Sequence, residues 1–320
     1  MNLLELIKLK HLYFTPLVRA YNIERLFNIS ASEIYLKWEG VNPTGTHKDR
    51  AAIAHVEKAI KNGYDTITVG TCGNFGVAIS YFARMFGLKA VIFVPSSYSN
   101  SRVAEMIRYD AEVIFVDGKY EDAVRMSVKE ASKNSWYDAN PGSVNSHVNI
   151  EAYSTLAEEI LIQLGGVPEF IAVPVGNGTL LAGIYFGFKK LLYVRRIERI
   201  PRFIATSTRG GNQIVYSWKK GSRHLLPLSE NSIVETDVNE PLVAYRSLDG
   251  EDALKALFES DGFAFEFDDE ELIKTAEFIR IFEGLPTLPA SASSLLALIE
   301  LNRQGILEGK SIAVLTGRIH

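Results

Sequence analysis

The sequence predicts an α/β protein made of two open, mostly parallel three-layer α/β domains. Two observations carry this. Short β-branched or aromatic runs alternate with segments that repeat their apolar residues at helical spacing. Several of those runs, such as Val91-Ile92-Phe93-Val94, are apolar at every position rather than at every second one. A strand of that kind is buried on both faces, as in a parallel sheet covered by helices.

Taken in order, strands are predicted at Glu33–Trp38, Thr66–Val69, Ala90–Val94, Glu112–Val116, Phe170–Val173 and Ser311–Thr316. Between them lie amphipathic faces. Phe75, Ala78, Ile79, Phe82 and Phe86 form one; Tyr120, Ala123, Val124, Ser127, Val128 and Ala131 form another. A third runs through Ile150, Tyr153, Ala157, Ile160, Leu161 and Leu164. The first domain is expected over 37–148 and the second over 149–320, with 1–36 packed on the latter. A less regular stretch covers Lys219–Tyr245. Open parallel sheets bind ligands at the carboxyl ends of their strands, so the loops there hold the candidate site.

A chain of 320 residues, 47% hydrophobic, can bury a sizeable core. Its net charge of −4 leaves no basic excess to displace counterions, which argues against a nucleic-acid partner. No apolar run reaches the length a bilayer needs, and Lys8 and Lys10 interrupt the N-terminal stretch. No membrane association is expected, and a cytoplasmic location is. The single cysteine, Cys72, excludes an intramolecular disulfide framework and fits a reducing compartment. The six histidines are scattered without a second ligand at metal-binding spacing, so no metal site is expected.

Three turns and one strand end carry potential chemistry. In Asn42-Pro43-Thr44-Gly45-Thr46-His47-Lys48-Asp49-Arg50 a turn precedes a helix, which puts Lys48 at the helix N-terminus. The helix dipole disfavours a cation there, and the same field would depress its pKa, as a Schiff-base lysine requires. The alternative is a solvated lysine in a charged first turn, with Asp49 as the residue the dipole favours. In Gly70-Thr71-Cys72-Gly73-Asn74-Phe75-Gly76, free backbone N–H groups suit an anion such as a carboxylate. Asn74 is either a donor to a ring oxygen or a plain N-cap. Cys72 reads as a small polar lining residue, since no histidine can be assigned to activate it.

Gly176-Asn177-Gly178-Thr179 follows an apolar strand and precedes an apolar helix, so its N–H groups and a hydroxyl could cradle a phosphate. It has neither the Walker pattern nor the full dinucleotide spacing. At Val314-Leu315-Thr316-Gly317 the hydroxyl of Thr316 could face a ring nitrogen or simply end the last strand.

With these motifs in hand, the chain resembles the tryptophan-synthase-β family of pyridoxal phosphate enzymes (fold type II), and most of all its threonine-synthase branch. The resemblance covers nearly the whole length. It runs from Thr15-Pro16-Leu17 through Leu36-Lys37-Trp38-Glu39-Gly40 and Asn42–Arg50 to Pro289-Ala290-Ser291-Ala292-Ser293-Ser294-Leu295. It implies pyridoxal 5′-phosphate as cofactor, lying in a cleft between the domains. Lys48 would be its Schiff-base anchor and the acid/base. Asn74 would contact the ring oxygen, Gly176, Asn177, Gly178 and Thr179 the phosphate, and Thr316 the pyridine nitrogen. Thr71, Cys72 and Gly73 would hold the carboxylate of a small amino-acid substrate. His47, where threonine synthases have an aromatic residue, could reach the cofactor phosphate or be a satisfied structural histidine. A hydroxyl at the ring nitrogen makes a weaker electron sink and favours elimination or replacement over transamination. The family also implies a homodimer.

Departures from the pattern bear on the substrate. Threonine synthases carry an arginine and a lysine after the segment written here as Ser143-Val144-Asn145. This chain has Ser146-His147-Val148-Asn149 and then Tyr153-Ser154, and Leu288 replaces a glutamate. Asn145, Ser146 and Ser154 are the expected substrate contacts, with fewer charge-assisted bonds for a phosphorylated substrate. The resemblance to the threonine-synthase branch nonetheless implies conversion of O-phosphohomoserine to threonine. A serine/threonine dehydratase and a cysteine-synthase-type β-replacing enzyme are the alternatives within the class. A catalytically silent protein of the same fold, with a binding or regulatory role, is the alternative outside it.

Overall fold

The computed structural model describes residues 14–71, 73–96, 102–230 and 234–319. Its strands in chain order are β1 (Leu17–Arg19), β2 (Ser32–Trp38), β3 (Thr66–Gly70), β4 (Lys89–Pro95), β5 (Glu112–Val116), β6 (Tyr137–Asp138), β7 (Phe170–Pro174), β8 (Arg202–Thr208), β9 (Phe263–Phe267) and β10 (Gly309–Leu315). They form two sheets, and the chain divides into two compact units. One holds Asn42–Ala152; the other holds Thr15–Val41 with Tyr153–His320. These boundaries lie five and four residues beyond those expected at 37 and 149, the first because β2 belongs whole to the second unit.

The first unit has the strand order β5-β4-β3-β6, all parallel. The β3 strand is buried throughout and β4 nearly so, which is why their sequence shows no alternation. Successive side chains of β4 meet different helices. Val91 and Phe93 pack with Ala123 of the helix Tyr120–Asn134, whereas Ile92 lies against Gly76 of the helix Asn74–Phe86. The sheet is thus covered on both faces. Gly70, the last residue of β3, must be glycine for that packing: a Cβ there would sit 2.4 Å from Val124 N and 2.6 Å from Ala123 O.

The second unit has the order β1-β2-β10-β7-β8-β9, parallel except for β1. Its two faces are equally distinct. Leu36, Ala172, Ile204 and Ala313 cluster with Leu295, Leu298 and Leu301 of the helix Pro289–Arg303. On the opposite face, Phe203 meets Tyr185 and Phe188 of the helix Thr179–Tyr193, with ring centroids 5.8 and 6.4 Å apart. Both units are therefore three-layer α/β, as the sequence predicts. Between the helix Gln213–Lys219 and Ala244 the described chain is mostly irregular, with a 3-10 turn at Glu240–Leu242, as expected for that stretch.

Candidate active site

In the first unit the helix bearing the candidate lysine spans Lys48–Lys61, with His47 as N-cap. It starts three residues before the apolar pattern does, so Lys48 is its first residue. The preceding loop is tied down on its own helix. Gly45 N–H donates to Asn42 O at 2.8 Å, with φ 87° at Gly45, a region open to glycine. Thr44 donates from its N–H to Asp49 Oδ2 at 2.7 Å and from its hydroxyl to the other carboxylate oxygen. Asp49 is 2% exposed. Its carboxylate is thus buried and holds the loop. Lys48 is half-buried, with Nζ 5.6 Å from the centre of the Phe75 ring.

Phe75 belongs to the helix Asn74–Phe86, whose N-cap is Gly73. Asn74 is inside the helix and makes no capping bond, so the N-cap alternative is wrong. Its Oδ1 instead accepts from Arg102 Nη1 at 2.6 Å. Thr71 is buried and its hydroxyl accepts from Gly73 N–H at 3.2 Å. Cys72 lies outside the described residues. The other two candidates of this unit are turned to local partners: Asn145 Nδ2 donates to Asp138 O at 2.9 Å, and Ser146 Oγ accepts from Gly142 N–H at 2.9 Å.

Two turns along from Lys48, His55 is wholly buried between Tyr137 and Asn149. Its Nε2 lies 3.1 Å from Asn149 Oδ1, an acceptor, so Nε2 carries the hydrogen. Nδ1 then accepts from the Tyr137 hydroxyl at 3.0 Å. Burial holds this imidazole down at about 3, against an ordinary value of 6.5, although the Asn149 bond works the other way. The native ring stays neutral while the unfolded one protonates. Its contribution to stability is complete above pH 6.5 and is lost as the pH falls from there toward 3. The slope in that window approaches about 1.4 kcal/mol per pH unit. His55→Gln is expected to flatten it, as urea unfolding at pH 7, 6, 5 and 4 would show; equal slopes in both proteins would refute the assignment.

In the second unit, β7 and β10 are parallel neighbours, so the loops that follow them leave the same end of the sheet. After β7 comes Gly176–Thr179, heading a fifteen-residue helix that no side chain caps. Gly178 has φ 86°, and a Cβ on it would lie 2.7 Å from Ala253 Cβ and from Ile214 Cδ1. A Cβ on Gly176 would lie 2.7 Å from Pro241 O. Both glycines are therefore required by close approach. The side chains here are engaged: Asn177 Oδ1 accepts from Leu248 N–H at 3.2 Å, and the Thr179 hydroxyl donates to Asp249 Oδ2 at 2.7 Å. A row of backbone N–H groups at a helix start, reinforced by the helix dipole, fits a phosphate ester.

Thr316 follows β10, and its Oγ1 lies 2.7 Å from Ser291 Oγ on the buried start of the helix Pro289–Arg303. Leu288, the N-cap of that helix, donates its N–H to Gly317 O at 3.0 Å and brings the two segments together. Ser154 is half-buried on the helix Ser146–Leu164; its carbonyl lies 2.3 Å from where a Cβ on Gly187 would stand. Arg102, His55 and Ser291 are polar groups to which the sequence assigned no part in the site. Only Ser291 had a local signal, its place in the Pro289–Leu295 motif. Among the described residues there is no cluster of three metal-ligating side chains and no helix long and apolar enough to cross a membrane.

Residues 8–317 match the family described as pyridoxal-phosphate dependent enzyme, and the chain belongs to that family. It is thus an enzyme whose cofactor is pyridoxal 5′-phosphate, with lyase chemistry as the family-level activity. Among curated relatives, threonine synthase of Methanocaldococcus jannaschii is 30% identical over 298 residues, 92% of this chain and 71% of that one. Threonine synthase of Methanosarcina acetivorans is 29% identical over 95% of this chain and 74% of its own length. Among solved structures, the threonine deaminase of T.th. superposes with TM-score 0.78 at 20% identity, covering 99% of this chain and 97% of that one. Maize serine racemase does so with TM-score 0.77 at 18% identity, covering 96% and 90%. These last two establish the shared fold alone.

Proposed function

We propose that the enzyme acts on a small amino acid by elimination or replacement, and that its reaction is that of threonine synthase, O-phosphohomoserine to threonine. The observation that carries the reaction type is the end of β10. The residue we assign to the ring nitrogen there, Thr316, ends in a hydroxyl and not in a carboxylate, and it lies 2.7 Å from a second hydroxyl, Ser291. The curated relatives support the choice of substrate. The cofactor, when bound, supplies the electron sink that makes the α-proton of the amino acid labile.

The chain's own residues do the rest. Lys48 is the covalent anchor and, once released by substrate, the base that takes the α-proton and returns one after the leaving group departs. The Phe75 ring beside Nζ supplies an apolar wall. Asn74 donates to the ring oxygen. Thr71, Cys72 and Gly73 receive the substrate carboxylate. The N–H groups of Gly176–Thr179 hold the cofactor phosphate, with His47 as a further contact. Asn145, Ser146 and Ser154 are proposed on the substrate side, and a homodimer working in the cytoplasm is the proposed assembly and location.

A second reading, a dehydratase or β-replacing enzyme for an unphosphorylated amino acid, is favoured by one observation. Asn149, in the segment expected to meet a substrate phosphate, is 3% exposed and uses its oxygen on neutral His55. Incubating the holoenzyme with O-phosphohomoserine, serine, threonine and acetylserine in parallel separates the readings. Threonine formed from the first is the expected result; pyruvate, 2-oxobutyrate or a replacement product without it would establish the second.

A further inference from the structure

Asn74 can help a cofactor oxygen only if its N–H₂ end, not its carbonyl end, faces that oxygen. The structure decides which end is offered. Arg102 is 7% exposed, and its Nη1 donates to Asn74 Oδ1 at 2.6 Å. A guanidinium has donors and no acceptor, so the atom it touches must be the amide oxygen. The Nδ2 hydrogens of Asn74 meet no acceptor among the described residues. They are left as donors on a half-buried side chain at a helix start.

The same guanidinium does two further things. Nη2 donates to Thr44 O at 3.0 Å, in the loop that precedes Lys48. Nε and Nη2 each donate to Glu105, at 2.8 Å, which offsets the buried charge. Four of the five N–H groups are thus directed at three partners, each on a different segment of the first unit. No single point charge can reproduce that fork. The cation also polarises the Asn74 amide and strengthens its remaining N–H as a donor.

We propose that Arg102 is a positioning residue. It locks the amide of Asn74 with its N–H outward, toward the phenolic oxygen of the cofactor, and ties that amide to the loop carrying Lys48. This rests on the reading that Asn74 meets the ring oxygen. A donor at that oxygen stabilises its anionic form, which sets the balance between the visible and near-ultraviolet absorption of the bound cofactor.

The test is the ratio of those two bands in the holoenzyme at fixed pH, with cofactor affinity measured alongside. Asn74→Ala should lower the ratio. Arg102→Met should lower it in the same direction and weaken cofactor affinity about tenfold, the size of one charge-assisted bond. The double variant should go no further than Asn74→Ala alone, since both remove the same interaction. Arg102→Lys keeps the charge beside Glu105 and loses the fork; it should shift the ratio part of the way, and it decides the matter if Arg102→Met fails to fold. An unchanged ratio in Asn74→Ala would overturn the reading of Asn74 itself, and the proposal with it. A shift in Asn74→Ala with none in either Arg102 variant, or full additivity in the double, would overturn the role of Arg102 and leave that of Asn74 standing.

Discussion

Lys48→Ala is expected to give a folded, colourless protein whose turnover is lower by about 10³-fold or more, the loss of both covalent anchor and proton carrier. Wild-type holoenzyme should lose its visible band on borohydride treatment and the variant should have none to lose. Lys48 is the first residue of its helix, where a cation is opposed by the dipole. Its removal should therefore alter stability by no more than about 1 kcal/mol, so thermal unfolding of the two apoproteins should nearly coincide. Lys48→Arg makes the point more sharply. It keeps a cation near the Phe75 ring, where Nζ now lies 5.6 Å from the centroid, yet a guanidinium neither deprotonates nor forms the bond to the cofactor. It should be as inactive as the alanine variant. A borohydride-sensitive visible band surviving in either protein would place the anchor elsewhere in the chain.

Lys37→Met should destabilise the second unit by about 3–5 kcal/mol, because it removes the ammonium paired with a buried carboxylate. Lys37 is wholly buried. Its Nζ donates to Thr15 O and to Gln163 Oε1, each at 2.7 Å, and pairs with Glu159. Glu159 also accepts from Thr15 N–H at 2.7 Å, and the Thr15 hydroxyl donates at 2.7 Å to a second buried carboxylate, Glu39. One ammonium thus stands beside a knot of acceptors that holds the segment before β1 against the helix Ser146–Leu164. Adding Glu159→Gln to Lys37→Met removes the stranded charge and keeps an acceptor for Thr15 N–H. It should restore most of the loss, as measured by urea unfolding. A single variant within about 1 kcal/mol of wild type, or a double variant no better than the single, would show that the pair does not carry this load.

Much of this was legible in the residues. Fully apolar runs such as Val91–Val94 revealed the parallel sheets, since a strand buried on both faces must be apolar at every position. Glycines at turns marked Gly70–Gly76 and Gly176–Thr179, where a Cβ meets neighbouring atoms at well under 3 Å at Gly70, Gly176 and Gly178. Other strands escaped. The β8 sequence ends Thr206-Ser207-Thr208, which looks like a turn, yet all three are buried. The Thr206 hydroxyl pairs with Ser293, and that of Ser207 donates to Val175 O and Leu242 O. The β6 strand has two residues, too few for any period, and β1 only three. In β9, Phe263-Ala264-Phe265-Glu266-Phe267 does alternate, and that signal was there to be used.

Lys48 was placed at a helix start by its own neighbours in sequence, and the cofactor by motifs each a few residues long. Periodicity, turn chemistry and motif spacing are short-range properties, so the chain alone determines them. Which end of the Asn74 amide faces outward depends on Arg102, 28 residues away; the tautomer of His55 depends on Asn149, 94 residues away. The Thr179 hydroxyl, read in sequence as part of a phosphate cradle, is turned to Asp249, 70 residues away. Such pairings arise because a buried polar group must find a partner wherever packing brings one, and that partner is chosen by the tertiary fold.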